Sequence, residues 1–305
     1  MRFARTLRLA ATAGLAATAL TVVGLASPAQ ARVVDVGLAC VEPGAPSEAA
    51  AARGGATGLD HRGISAAEQR AIERRTDSRL AAKGSPSVTG STALAATVPV
   101  HVHVMRDAAG RGDVTNRQID RQVAVLNSSF SGTGYSFNLV STQRYNNTTW
   151  HRDNQSATYR ARTRKGGANA LNIWLVDFKF LGIATFPWDY ARKGEIDGIR
   201  VNYDSLPGGS IANFNLGGTA THEAGHWLGL YHTFQGGCTE LNDEVEDTPA
   251  QMSPTSGCPK GRDSCPSPGL DPIHNYMDYS FDSCYTEFTP GQDQRADEMW
   301  AAYRA

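Results

Sequence analysis

The chain has 305 residues, a formal charge of −1 and 41% hydrophobic residues, enough for one good-sized domain plus a smaller appendage. Its 29 Lys and Arg are balanced by 30 Asp and Glu. No basic run or stripe stands out, which argues against nucleic acid as a partner.

Arg2, Arg5 and Arg8 form a positive stretch ahead of an apolar run over 9–26, and Ala29-Gln30-Ala31 is a small-x-small cleavage site. This pattern predicts a secretory signal peptide over 1–31. The run is nearly long enough to span a bilayer, but the cleavage site and the missing stop-transfer charges favour removal. No adjacent arginines point to the twin-arginine route. Removal takes away three Arg and no acids, moving the charge from −1 to −4. The expectation is a secreted, extracellular protein with no membrane contact once the signal is gone, monomeric by default.

Residues 32–95 are rich in Ala, Gly, Ser, Pro and Arg and contain no Phe, Tyr or Trp, so alone they bury little apolar area. A Ser65/Glu68 capping box and the run EQRAIERR predict one helix. Residues 83–92 (KGSPSVTGST) read as an exposed linker. Together 32–95 read as a removable pro-segment with a cleavable junction, or as a flexible spacer. Within it, Cys40 stands far from the other cysteines. Its thiolate is a candidate zinc ligand that blocks a precursor, with an unpaired or intermolecular cysteine as the alternative.

From Val98 the composition changes. VPVHVHVM (98–105) alternates and predicts a half-buried strand, with His101 and His103 on the solvated side. Thr115 caps a helix whose apolar positions are Ile119, Val123, Leu126 and Phe130. Strands follow at 134–141, at 170–178 (strongly apolar, hence central), at 182–187 and at 197–207. A helix is predicted over 218–230. Residues 236–290 are irregular and carry Cys238, Cys258, Cys265 and Cys284. An even count in an exported chain predicts two disulfides in any of three pairings. A last helix starts near Thr289-Pro290. Strands and helices first, then cysteine-rich loops, predict an α+β fold cut by a cleft.

Residues 221–232 read THEAGHWLGLYH. His222 and His226 lie four apart, one turn apart on the same helix face. Glu223 beside them is free to act as a base. Gly229 allows a sharp exit from the helix, which brings His232 back as a third ligand. Three protein ligands leave zinc an open position for water, the pattern of a catalytic site.

The H-E-x-x-H-x-x-G-x-x-H pattern resembles that of the metzincin metallopeptidases. HEAGHWLGLYHTFQGGC, then DTPAQ (247–251) and NYMDYS (275–280), are similar to the pappalysin family, which includes ulilysin. The resemblance implies a metzincin-type catalytic domain over 96–305, with a twisted mixed sheet, helices above it, an irregular disulfide-pinned lower subdomain and an active-site cleft between. It implies Zn2+ held by His222, His226 and His232, Glu223 as general base, Met277 as the apolar floor, and Tyr279 close to the metal. It also implies the pairings Cys238–Cys265 and Cys258–Cys284. Calcium sites in ulilysin-like enzymes make Asn242, Asp243, Asp247 and Thr248 candidate Ca2+ donors, with a solvated acidic loop as the alternative. Asp282 is a candidate specificity acid, because such enzymes favour a basic residue near the cut.

The expected function is a secreted zinc endopeptidase made as an inactive precursor, binding peptide substrates along the edge strand GIATF (182–186). The competing expectations are a zinc-stabilised binding module without catalysis and a zinc hydrolase of small amides.

Overall fold

The structure, a computed structural model, describes residues 63–84 and 96–305. The expected signal peptide, Cys40 and most of the expected linker lie outside the described residues. Helix α1 spans Ala66–Ala82, and Ser65 Oγ accepts the amide of Glu68 at its start. The helix belongs to the same compact unit as the residues after it. Ile64, Ile72 and Leu80 pack with Phe186, Trp188, Tyr231, Met299 and Tyr303. A segment too poor in apolar residues to fold alone thus buries its few at positions that a larger body supplies.

Five strands form one sheet in the order β2-β1-β3-β5-β4. They are β1 (Ala96–Arg106), β2 (Tyr135–Asn146), β3 (Leu171–Val176), β4 (Gly182–Ala184) and β5 (Ile199–Asn202). All pairings are parallel except the last, in which β4 runs antiparallel to β5 at the sheet edge. Helix α2 (Asn116–Ser129) links β1 to β2 and begins in a full capping box between Thr115 and Gln118. Its Ile119, Val123 and Leu126, with Phe130 at its end, face the valines of β1. Two shorter helices follow β2: α3 (Thr148–His151) and α4 (Ser156–Thr163). Single-turn α5 (Tyr190–Lys193) lies between β4 and β5. Helices α6 (Gly218–Leu228) and α7 (Pro290–Tyr303) complete the main core through Ala220, Ala224, Trp227, Ala296 and Trp300. The α+β class and the central position of β3 stand as expected.

β1 differs from its prediction. It is flanked by β2 and β3 and covered on both faces, so His101 and His103 are buried, at 8% and 0% exposure. Alternation signals a wet face only where one face is wet, and parallel strands inside a covered sheet have none. The His103 ring stacks on Trp174 at 5.3 Å, and its Nε2 bonds Asn172 Oδ1 at 2.9 Å. Burial pushes its pKa down to about 4, against the opposing pull of the Asn172 bond.

Between α6 and α7 the described chain contains only a 3-10 turn, Asp282–Cys284, and an isolated bridge between Asn275 and Glu287. Cys238–Cys265 and Cys258–Cys284 cross-link it, the pairing that the resemblance implies.

Candidate metal centre

Helix α6 is buried along its whole length. It starts after Gly217, at φ +95°. The Asp282 carboxylate accepts the amides of Leu216 at 2.8 Å and Gly218 at 3.2 Å there, opposing the positive end of the helix. It ends at Gly229, whose φ of +103° is closed to most L residues and whose added Cβ would lie 2.5 Å from Met299 Cγ. The amides of Gly229 and Leu230 close on His226 O and Gly225 O, and the chain turns back toward the helix face.

That turn brings the three imidazoles together. His222 Nε2 lies 3.2 Å from His232 Nε2, and His226 Nε2 lies 3.1 Å from it. His222 Nδ1 is 2.7 Å from Tyr276 O, and His226 Nδ1 is 2.8 Å from Leu230 O. A carbonyl only accepts, so both Nδ1 atoms carry the proton and both Nε2 atoms present lone pairs. A cation at the centre suits three ring nitrogens this close together, since nitrogens at about 2.0–2.1 Å from tetrahedral zinc stand about 3.3 Å apart. The donor set and its spacing fit zinc, and the carbonyl bonds fix the ring orientations as outer partners do in metal sites. A second grouping, Cys258, His274 and Cys284, holds no metal because both sulfurs are in the disulfide.

Glu223 is fully buried on α6. Gly182, which opens β4, lies against it: a Cβ there would sit 2.4 Å from Glu223 Cγ and Oε1. The sequence reading missed this glycine, although its place at the head of the GIATF strand was a signal. Met277 is fully buried and touches α6 at Gly225, where a Cβ would meet its sulfur at 2.4 Å. The preceding carbonyl, Tyr276 O, orients His222. Tyr279 lies edge-on to His232 with ring centroids 4.8 Å apart, and Phe234 stacks on His232 at 4.5 Å and meets Tyr279 edge-on at 5.0 Å. Phe234 was also missed, since a lone aromatic after a ligand has no period to mark it. Beneath the turn, Asp278 Oδ1 accepts from Gln251 Nε2, the Thr255 amide and the Tyr279 amide. Burial pushes this carboxyl's pKa up.

The four candidate calcium donors are divided. Thr248 Oγ1 donates to Asp243 Oδ1 at 2.6 Å, and Asn242 Nδ2 donates to Thr248 O at 3.0 Å. Asp247 instead is exposed and accepts the Gly291 amide at the first turn of α7. Asp243 is 1% exposed and its pKa is raised to about 7 by burial.

The family described as Peptidase_M43, pregnancy-associated plasma protein-A, matches residues 177–301. An extracellular metalloprotease of Verticillium alfalfae is 49% identical over 230 residues, covering 72% of this chain and 81% of the relative. The chain belongs to the pappalysin family. An extracellular metalloprotease of Neurospora crassa is 46% identical over 235 residues, with 75% and 82% covered. Among solved structures, mature mirolysin of Tannerella forsythia in complex with a cleaved peptide superposes with TM-score 0.57 at 27% identity, over 70% of this chain and 98% of that one. A promirolysin mutant of the same organism gives 0.62 at 26% identity, with 77% and 88% covered. This pappalysin is therefore a metalloprotease with a metzincin-type α+β fold. The two histidines of α6 and the one just beyond it are grouped closely enough to hold a metal ion. No helix among the described residues is long and apolar enough to cross a membrane.

Proposed function

We propose that this pappalysin is a secreted zinc endopeptidase in which Glu223 is the general base, made as an inactive precursor. The convergence of the His222 and His226 Nε2 atoms to within 3.2 Å of His232 Nε2 carries the reading. The buried Glu223 beside them, which a purely structural metal site has no use for, supports catalysis over a binding module. Zinc, when bound, supplies an acidified water and polarises the scissile carbonyl. Glu223 takes a proton from the attacking water at a carboxylate oxygen and hands it to the departing amine nitrogen. The Tyr279 hydroxyl donates to the oxyanion that develops on the carbonyl. Strand β4 ends the sheet next to Glu223, and its outer edge offers backbone groups to an extended peptide.

In the precursor Cys40 would ligate the metal, so that cutting the pro-segment would open the site. Cys40→Ala then gives a precursor that cleaves peptide before processing, and equal inactivity of both precursors rejects the switch. Calcium binds at Asn242 Oδ1 and Asp243 Oδ2, buried oxygens that have no hydrogen-bond partner among the described residues. Asp282 acts through the amides of Leu216 and Gly218 at the start of α6, so its replacement is expected to loosen the helix start before it alters substrate choice.

The test is incubation of the purified protein with a diverse peptide mixture, with and without a zinc chelator, with products read by mass spectrometry. Chelator-sensitive cuts that zinc restores, and that Glu223→Ala abolishes while retaining zinc, are expected. Cuts that persist without zinc, or no cuts by a fully loaded enzyme, reject the reading.

A further inference from the structure

We propose that helix α1 stays with the active enzyme and that Glu73 on it is a positioning residue for His232. This rests on the zinc-peptidase reading above. His232 comes back to the metal centre on the segment 229–235, which contains no helix or strand of its own. Side chains grip that segment at three points. At its start Arg295 Nε donates to Gly229 O at 3.1 Å. Next to the ligand, Tyr231 OH donates to Glu73 Oε1 at 3.0 Å. At its end Gln235 Nε2 donates to Ile64 O at 2.9 Å and to Gln69 Oε1 at 3.2 Å.

All three grips lead to α1 or to the residues before it. Arg295 is 6% exposed and is paired through both terminal nitrogens with the Glu73 carboxylate, at 3.0 and 2.8 Å. Its guanidinium also stacks 4.6 Å over the Tyr231 ring. Glu73 thus neutralises a buried cation, orders the tyrosine that adjoins His232, and holds the arginine that fixes the helix exit. The apolar side of α1 adds to this. Its cluster includes Phe186, which meets the His226 ring edge-on at 5.2 Å. Taking α1 away removes the carboxylate that pairs with Arg295 and fixes Tyr231, and frees the segment that carries His232 on both sides.

The consequence concerns maturation. A cut in the 83–92 linker that discards everything before it would dismantle the support of the third ligand. The activating cut therefore falls ahead of Gly63, and residues 66–82 remain in the mature body, contrary to the sequence expectation of a catalytic domain that starts at 96.

Two measurements on the secreted enzyme test this. Mass spectrometry of the active, zinc-loaded species is expected to find residues 66–82. An active, zinc-loaded species lacking them overturns the proposal. In parallel, Glu73→Gln, Glu73→Asp and Tyr231→Phe are compared with the unaltered enzyme by zinc release to a chelator, by the visible spectrum of the cobalt-substituted protein, and by kcat and KM. Glu73→Gln and Tyr231→Phe are expected to release zinc about tenfold faster, to shift the cobalt bands and to lower kcat with little change in KM, with part of the loss recovered in Glu73→Asp. Lower thermal stability with unchanged release rate and cobalt spectrum assigns a merely structural role and overturns it. Tyr231→Phe keeps the ring and removes one hydrogen bond, so it decides the matter if Glu73→Gln does not fold. Failure of the unaltered protein to bind zinc or cut peptide is the distinct signature by which the underlying reading fails, and this inference falls with it.

Discussion

The region from β1 through α6 and the region 229–289 are ordered by different forces. In the first, apolar side chains recur at strand or helix spacing and meet in one core, so the hydrophobic effect does most of the holding. In the second, two disulfides and buried polar side chains take over. Asp278 and Asp271 accept backbone amides there, and Asn275 exchanges two bonds with Gln292 of α7. The candidate metal centre draws His222 and His226 from the first region and His232 from the second. Its geometry therefore depends on both kinds of order at once, and damage to either region is felt at the same three nitrogens.

The largest expected effect separates chemistry from folding. Glu223→Gln should lower kcat/KM by about 10²–10⁴-fold, with zinc content and thermal unfolding close to those of the unaltered enzyme. Lost zinc or a lowered melting temperature would mean that this acid also holds the two regions together.

Next comes a direct contrast of the two. Leu126→Ala, in the core between α2 and the sheet, should cost about 3–5 kcal/mol in denaturant unfolding. Replacing Cys258 and Cys284 by Ser should cost about 3–4 kcal/mol. Hydrogen exchange should show the cysteine variant losing protection mainly within 229–289 while the amides of α2 and β3 stay protected. Equal loss everywhere would dissolve the distinction.

Acid should act on the first region through His103. The folded state keeps this ring neutral down to about pH 4, whereas the unfolded chain takes up a proton near 6.5. Its contribution is thus fully present above pH 6.5, and stability falls as pH drops toward 4, by up to about 3 kcal/mol. Comparing unfolding midpoints at pH 7 and pH 4.5 for the unaltered protein and His103→Gln checks this, since the variant should lose that part of the slope.

A smaller and more local effect is expected at Gly182. An added methyl displaces Glu223, and Gly182→Ala should reduce kcat/KM by about 10²-fold while the unfolding midpoint barely moves. The smallest is a capping change. Thr289→Ala should cost about 1 kcal/mol through the start of α7. Activity should be unaltered if α7 stays seated.

Elements with local determinants were legible in the chain. Helix α2 carries its cap and apolar stripe within residues 115–130, α7 announces itself with Thr289-Pro290, and β3 reads as an unbroken apolar run. The grouping of the three histidines was legible for the same reason, because spacing of four on a helix and a glycine exit are local geometry. His103 was not, since the second cover over β1 comes from residues such as Trp174, Tyr145 and Tyr159, far along the chain. Asp282 was read as an acid near the substrate, and the amides it accepts lie 64 and 66 residues away.

From the linear order of residues alone came the candidates: which groups would bind a metal, which one would move a proton, and roughly which elements carry them. Those follow from backbone geometry over a turn or two, which every chain obeys. Folding in three dimensions decided the surroundings: Gly182 against Glu223, Tyr276 O on His222, and Glu73 beneath Arg295 and Tyr231. These partners are separated by some forty to more than two hundred residues, and no local rule brings such distant groups together; the packing of helices on a sheet does.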